Sequence, residues 1–232
     1  MDISAAIQQR KSIRAFKPDP IPEATLRQVL EQAARAPSWA NTQPWECAIA
    51  SGPPLEQIKR DFVEKARVGV RPVTDLAAPV QFPEPYDTRR RSVGRKIFEL
   101  TGIGRENPEE RAKWGLRGLQ LFGAPCCIYI LTGRSFVFQG AGMNVWPVFD
   151  CGLVAENIML IALEYGLGTI PEIQAVAYPD ILRQVLHIPD SSLLVLGIAI
   201  GYPEDNNPVN QLRSEREPLA RVTTWHGFGQ GV

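Results

Sequence analysis

Two short stretches hold most of the side chains that could do chemistry. The first is Gln9-Arg10-Lys11-Ser12-Ile13-Arg14-Ala15-Phe16, with two arginines, a lysine and a serine inside five positions. Arginine offers a flat fork of donors, lysine a point charge and serine a hydroxyl, so the set is suited to gripping an anion. The second is Ala36-Pro37-Ser38-Trp39-Ala40-Asn41-Thr42-Gln43-Pro44-Trp45, small polar side chains set between two prolines. Its hydroxyls and amides can read the edge of a polar heterocycle. Together the stretches point to a phosphorylated ring. On composition alone, the first could also be a solvated charged surface at a helix end. The second could be a plain helix-to-strand loop.

The elements around these stretches follow from periodicity. Residues 2–9 read as a helix with Ile3, Ala6 and Ile7 on one face. Pro18, Pro20 and Pro22 force an extended path. Pro22-Glu23 then opens a helix striped by Leu26, Val29, Leu30 and Ala33. Strands are expected at Trp45–Ala50, Cys126–Thr132 and Leu193–Ile200. Pro53, Pro54 and Glu56 suggest a turn and helix, and Tyr178-Pro179-Asp180 opens a helix over Ile181–Leu186. Asp150 is placed to cap an apolar helix from Gly152 to Tyr165, which Gly166 and Gly168 end. Residues 67–117 are Pro-rich, then Arg-rich, and read as an insertion of loops and helices lying over the core. The tail at 203–232 is too polar to form a core alone, so it must wrap something, such as a second subunit.

The bulk numbers exclude several function classes. A chain of 232 residues can bury a core of its own. Twenty-five basic and twenty-five acidic residues cancel, so no nucleic-acid partner is expected, and Arg89-Arg90-Arg91 reads as a solvated helix face. No uninterrupted apolar run of about 18 residues predicts a membrane span. No basic stub followed by an apolar run opens the chain, so no signal peptide is expected. Four cysteines without a C-x-x-C spacing, and only two histidines, argue against a zinc site or a disulfide framework. Free thiols suit a reducing cytoplasm. Neither G-x-G-x-x-G after a strand nor G-x-x-x-x-G-K-[ST] occurs, which disfavours a resident dinucleotide or a phosphate loop.

The pattern R-x-S-x-R-x-F followed by A-P-S-x-x-N-x-Q-P-W resembles the opening of the flavin-dependent nitroreductase family. The likeness continues in Gly166-Leu167-Gly168-Thr169-Ile170-Pro171, Leu196-Gly197-Ile198-Ala199-Ile200-Gly201-Tyr202-Pro203 and Arg213-Ser214-Glu215-Arg216-Glu217-Pro218-Leu219. It implies one α+β domain with a mixed central sheet flanked by helices, in a domain-wrapped homodimer. It implies bound FMN and NAD(P)H as a transient reductant. Electrons would pass in ping-pong fashion to a small-molecule acceptor such as a nitroaromatic or a quinone. Hydride transfer would occur at flavin N5, so no catalytic side chain is required; the cofactor carries the hard chemistry.

The resemblance also assigns places. Arg10, Ser12 and Arg14 would meet the FMN phosphate and ribityl chain, with Lys11 toward the ring edge. Pro37, Ser38, Trp39 and Asn41 would line the flavin of the partner subunit, Trp39 narrowing the pocket or stacking on substrate. Ile170, Pro171 and Glu172 would lie on one face of the ring, Glu172 or its neighbour acting through its backbone. Arg216, and after it Arg213, would complete the phosphate site. Two alternatives remain open from sequence. One is the same flavin scaffold doing ene reduction, reductive dehalogenation or flavin-ring chemistry. The other is a flavin-binding protein without turnover.

Overall fold

A computed structural model describes residues 1–140 and 142–228. The helices are α1 (Ile3–Gln9), α2 (Glu23–Ala33), α3 (Gly52–Arg67), α4 (Tyr86–Thr101), α5 (Pro108–Leu119), α6 (Arg134–Val137), α7 (Trp146–Ala162), α8 (Pro179–Leu186) and α9 (Leu219–Val222). The strands are β1 (Trp45–Ser51), β2 (Cys126–Gly133), β3 (Phe138–Gln139), β4 (Gly142–Met143), β5 (Gly168–Glu172) and β6 (Ser192–Gly201).

Four strands form the central sheet in the order β1-β2-β6-β5, each pair antiparallel. Its mixed character comes at the β5 edge, where Ser12 bridges Thr169 in parallel. β2 is buried on both faces, and its side chains divide by the period of two. Cys127, Tyr129 and Leu131 join Leu55, Ile58 and Phe62 of α3 and Leu182 of α8 in one core. Cys126, Ile128 and Ile130 join Leu26 and Val29 of α2 and Val154 and Ile158 of α7 in the other. Each such side chain contributes about 1.5–3 kcal/mol by leaving water. Helices therefore cover both faces of the sheet.

Two expectations are corrected. The apolar helix starts at Trp146, not Gly152, so Asp150 lies inside it rather than capping it. Pro147 sits in the first turn, where its missing N–H costs nothing, and Asn144 Oδ1 accepts from the Trp146 N–H at 3.2 Å. Gly168 does not end the helix. Gly166 does, in the left-handed conformation, and Gly168 opens β5. By length and apolarity alone, Trp146–Tyr165 would suffice to cross a bilayer. Here it is the central helix, with Cys151, Val154, Ala155 and Ile158 buried against α2 and the sheet.

The insertion region divides. Val73 donates its N–H to Ala177 O at 3.0 Å, and Asp75 accepts from Arg183 at 2.7 Å and from the Leu194 N–H at 2.9 Å, so its start is pinned to the core. α4 buries no residue, whereas α5 buries Leu119. Of the expected wrapping tail, residues 229–232 lie outside the described residues.

Candidate functional site

The N-terminal segment is laid along the edge of the sheet. Ile13 N–H donates to Thr169 O at 3.0 Å beside the Ser12–Thr169 bridge. Glycine is required at 168 because a Cβ there would sit 2.5 Å from Ile13 Cγ1. A second clamp is Asn210, which is 2% exposed. Its Oδ1 accepts from the Arg14 N–H at 2.8 Å, and its Nδ2 donates to Ala15 O at 2.8 Å and to Glu204 O at 3.0 Å. The tail is thereby fixed against the start of the chain, and Arg213 adds a bond from its guanidinium to Gln8 O.

The result is one cavity of about 640 Å3 lined by Arg10, Lys11, Ser12 and Arg14 from the front and Arg213 and Arg216 from the back. Six donor side chains, five of them cationic, converge from positions two hundred residues apart. Val93 of α4 and Glu156 of α7 complete the wall, and Glu156 stands 3.7 Å from Arg10 Nε. Among the described residues, Arg216 bonds only to its own segment, Ser214 Oγ at 2.8 Å and the carbonyls of Ser214 and Glu215. This donor set fits a phosphate, which presents several acceptor oxygens and a charge of about −1.5 to −2.

Ile170, Pro171 and Glu172 form the far half of β5 rather than a loop. A proline is tolerated there because the strand is an edge. Ile170 and Glu172 point inward and Pro171 is exposed. The Glu172 carboxyl is buried beside Arg14, and its Oε1 finds no hydrogen-bond partner among the described residues. Burial pushes its pKa up to about 8, against the pull of Arg14. Burial likewise lowers Arg14 from the usual guanidinium range, against the pull of Glu172. Desolvation thus outweighs attraction in both partners.

Pro37, Ser38 and Trp39 lie elsewhere, in an almost wholly apolar cavity of about 550 Å3 with Trp146, Phe149, Asp150 and Leu153. The rings of Trp39 and Trp146 are 6.1 Å apart, and those of Trp146 and Phe149 6.0 Å. All three are more than half exposed. Ala40, Asn41 and Gln43 adopt left-handed φ of 48°, 57° and 45°, costly for residues with a Cβ. The buried Asp150 Oδ2 accepts from the Trp39 N–H at 3.1 Å and Ser38 Oγ from the Gln43 N–H at 3.0 Å, holding this turn. Asn41 is exposed and does not line the cavity.

One chain therefore does not gather every expected residue around one space. Yet α7 carries both cavities, with Phe149 and Leu153 on one and Glu156, the next position of the same stripe, on the other. Asn210, Phe149 and Glu156 were missed by sequence reasoning, and Asp150 was read only as a helix cap. Asn210 gives no local signal, because its partners are contributed by the other end of the chain. The four cysteines are unpaired thiols. Burial raises Cys47 to about 11 and Cys126 and Cys151 to about 12, so none is poised as a nucleophile.

Known proteins share this fold. The 4-nitrobenzoate reductase of Pseudomonas putida is 29% identical over 98% of this chain and 96% of its own length. The crystal structure of the FMN- and NADPH-dependent nitroreductase NfnB of Sphigopyxis sp. strain HMH superposes with a TM-score of 0.91 at 28% identity, covering 98% of this chain and all of that one. That of the FMN-dependent NfnB of Mycobacterium smegmatis in complex with NADPH gives 0.87 at 26% identity, over 97% and 100%. The family model described as the nitroreductase family matches residues 7–202, which take in the segment Arg10–Arg14, the whole sheet and α7. On that span, and on a fold shared from end to end, this chain belongs to the nitroreductase family.

Proposed function

We propose that the protein is an FMN-dependent oxidoreductase that passes electrons from NAD(P)H to nitroaromatic or quinone-type acceptors. The observation that carries this reading is the single cavity in which Arg10, Lys11, Ser12, Arg14, Arg213 and Arg216 meet. FMN, when held there, would supply the hydride chemistry that links nicotinamide to acceptor.

The chain's own residues do the holding. Arg10, Ser12, Arg14, Arg213 and Arg216 grip the phosphate, and Lys11 places positive charge toward the ring edge. Ile170, Pro171 and Glu172 present backbone along one face. Glu172 keeps a proton on its carboxyl near neutral pH because it is buried. Trp39, Trp146 and Phe149 offer ring faces to an aromatic acceptor and exclude water. We read the protein as a homodimer in which the turn at 37–41 and the aromatic cavity of one subunit face the anion cavity of its partner. The exposed aromatic face of α7 supports this, as does the neutral net charge. The unpaired thiols suit the cytoplasm.

The test is direct. The purified protein should show a flavin spectrum, bleach on anaerobic addition of NADPH or NADH, and recover on adding a nitroarene. Arg14→Ala and Arg216→Ala should each weaken FMN binding by roughly ten- to hundred-fold, since a charge-assisted bond contributes about 1.5–3 kcal/mol. Unchanged FMN affinity in both variants removes them from the site. FAD in place of FMN in the mass spectrum, or no flavin, overturns the reading.

A further inference from the structure

A cavity of about 1000 Å3 lies between α4, α5 and the turn that joins them. Five arginines line it, Arg90, Arg91, Arg95, Arg105 and Arg111, against one carboxylate, Glu99. Two of the five are already neutralised at the start of α4: Arg90 pairs with Asp87 at 2.6 Å, and Arg91 with Asp87 at 3.0 Å and with Glu84, just before the helix, at 2.7 Å. Arg95, Arg105 and Arg111 have no carboxylate within 4.0 Å among the described residues. The contrast is sharp on α4 itself, where Arg89 pairs with Glu217 at 2.8 Å and Lys96 with Glu215 at 2.5 Å.

Helical geometry separates the two sets. Arg89, Val93 and Lys96 follow i, i+4, i+7 and face the FMN cradle and the tail. Arg91, Arg95 and Phe98 follow the same spacing on the opposite side. Arg111 is held ready. Its guanidinium lies 3.9 Å from the Phe98 ring centroid, and its Nε donates to Gly104 O at 2.9 Å, which fixes the plane of the fork. Convergent like charges raise the local potential and favour a bound anion.

We propose that this cleft is a second anion site, distinct from the FMN cradle, that takes a phosphate ester on Arg95, Arg105 and Arg111. The phosphate has two sources with the same chemistry: the 2′-phosphate of NADPH, or a free phosphate compound. The coenzyme source rests on the proposed reductase activity; the site itself does not. Val93 lines the cradle and Arg91 and Arg95 line the cleft from the opposite side of α4, and a helix is about 10–12 Å across. An extended dinucleotide whose nicotinamide lies over the flavin has the reach to cross that gap with its adenosine end.

The experiment uses FMN-loaded protein and titrates 2′,5′-ADP and inorganic pyrophosphate calorimetrically, without turnover. Arg95→Ala/Arg105→Ala alters two exposed side chains and leaves the core untouched; Arg111→Lys adds a variant that keeps charge but loses the fork. Binding of 2′,5′-ADP that weakens at least tenfold in the double variant, and weakens with added salt, is the expected result. For the coenzyme source, the KM for NADPH rises by a similar factor while that for NADH and the FMN content stay unchanged. Pyrophosphate binding that depends on these arginines, with an unaltered NADPH-to-NADH ratio, keeps the site and assigns it to a free phosphate compound. No binding of either probe at millimolar concentration, or binding indifferent to both variants, overturns the site. Failure of both NADPH and NADH to bleach the flavin in wild type overturns the reductase reading instead and leaves the calorimetric result standing.

Discussion

Glu172 shows how far a single side chain can depart from what its letter suggests. Resemblance marks it for its backbone at the flavin, and nothing local foretells that its carboxyl turns into the core beside Arg14. Its burial follows from strand alternation in β5, a segment too short and too interrupted by Pro171 to read as a strand. The consequence is a pH dependence. The carboxyl is held at about 8 in the folded chain against an ordinary 4.5. The native state therefore keeps a proton that the unfolded chain releases between those values, and stability falls as pH rises across the window. The slope is at most ~1.4 kcal/mol per pH unit for one proton, and the curve levels above the folded value. Glu172→Gln stays neutral throughout. The FMN-free variant should hold a flatter melting temperature from pH 5 to 8 than the wild type, and exceed it near pH 8. Parallel curves for the two proteins would remove Glu172 as the source. The cationic residues that line one cavity with the tail are the opposite case. Arg10, Lys11, Ser12 and Arg14 were legible because their chemistry is concentrated in sequence, whereas Asn210, which positions Arg14, is legible only in three dimensions.

At the scale of elements, strands and helices with one unmixed signal were readable. β1, β2, β6 and α2 match their expected spans to within a residue or two, because apolar runs or stripes fix their faces. α7 was misread at its start. Trp146-Pro147 is a permitted helix opening, but Asp150 before Gly152 satisfied the cap signature as well, and only the fold shows that its acceptor serves the Trp39 N–H 111 residues away. That bond has a measurable task. It secures a turn with three left-handed residues that carry a Cβ, each disfavoured by ~1–2 kcal/mol. Removing the acceptor leaves a backbone donor unsatisfied, a loss of about 1–3 kcal/mol. Asp150→Ala should lower stability by that order in denaturant titration. It should also raise the KM for a nitroarene, as Trp39 loses its fixed place beside Trp146, while FMN content holds in the folded fraction. A variant with wild-type stability and wild-type KM would show that the turn is held by its own local bonds, such as Ser38 Oγ to Gln43.

At the scale of the whole molecule, what is unfinished in one chain is the most informative. The anion cavity has no aromatic wall, and the aromatic cavity has no cation among its seven lining residues. Trp146 and Phe149 stand more than half exposed on the same helix whose other face is fully buried, and Leu219, Val222, Trp225 and Phe228 are exposed at the end of the tail. Aromatic surface of this extent is usually buried, and in homo-oligomers a two-fold interface is the commonest way to bury it. The tail to Glu217 is engaged with its own chain, through Asn210, Lys96–Glu215 and Arg89–Glu217, whereas the bonds given for residues 219–228, among the described residues, are local. If the tail wraps a second subunit as expected from residue 203, we propose that the part beyond Pro218 does so. Truncation after Pro218 should leave the sheet and the anion cavity intact, because every residue of that cavity precedes it. It should weaken self-association by at least tenfold in sedimentation equilibrium and reduce FMN retention in step, if the partner's aromatic cavity closes the site. A wild-type protein that keeps FMN as a monomer at nanomolar concentration would contradict the shared site. So would a truncated protein that dimerises and holds FMN as tightly as the full chain, since the interface would then owe nothing to the tail.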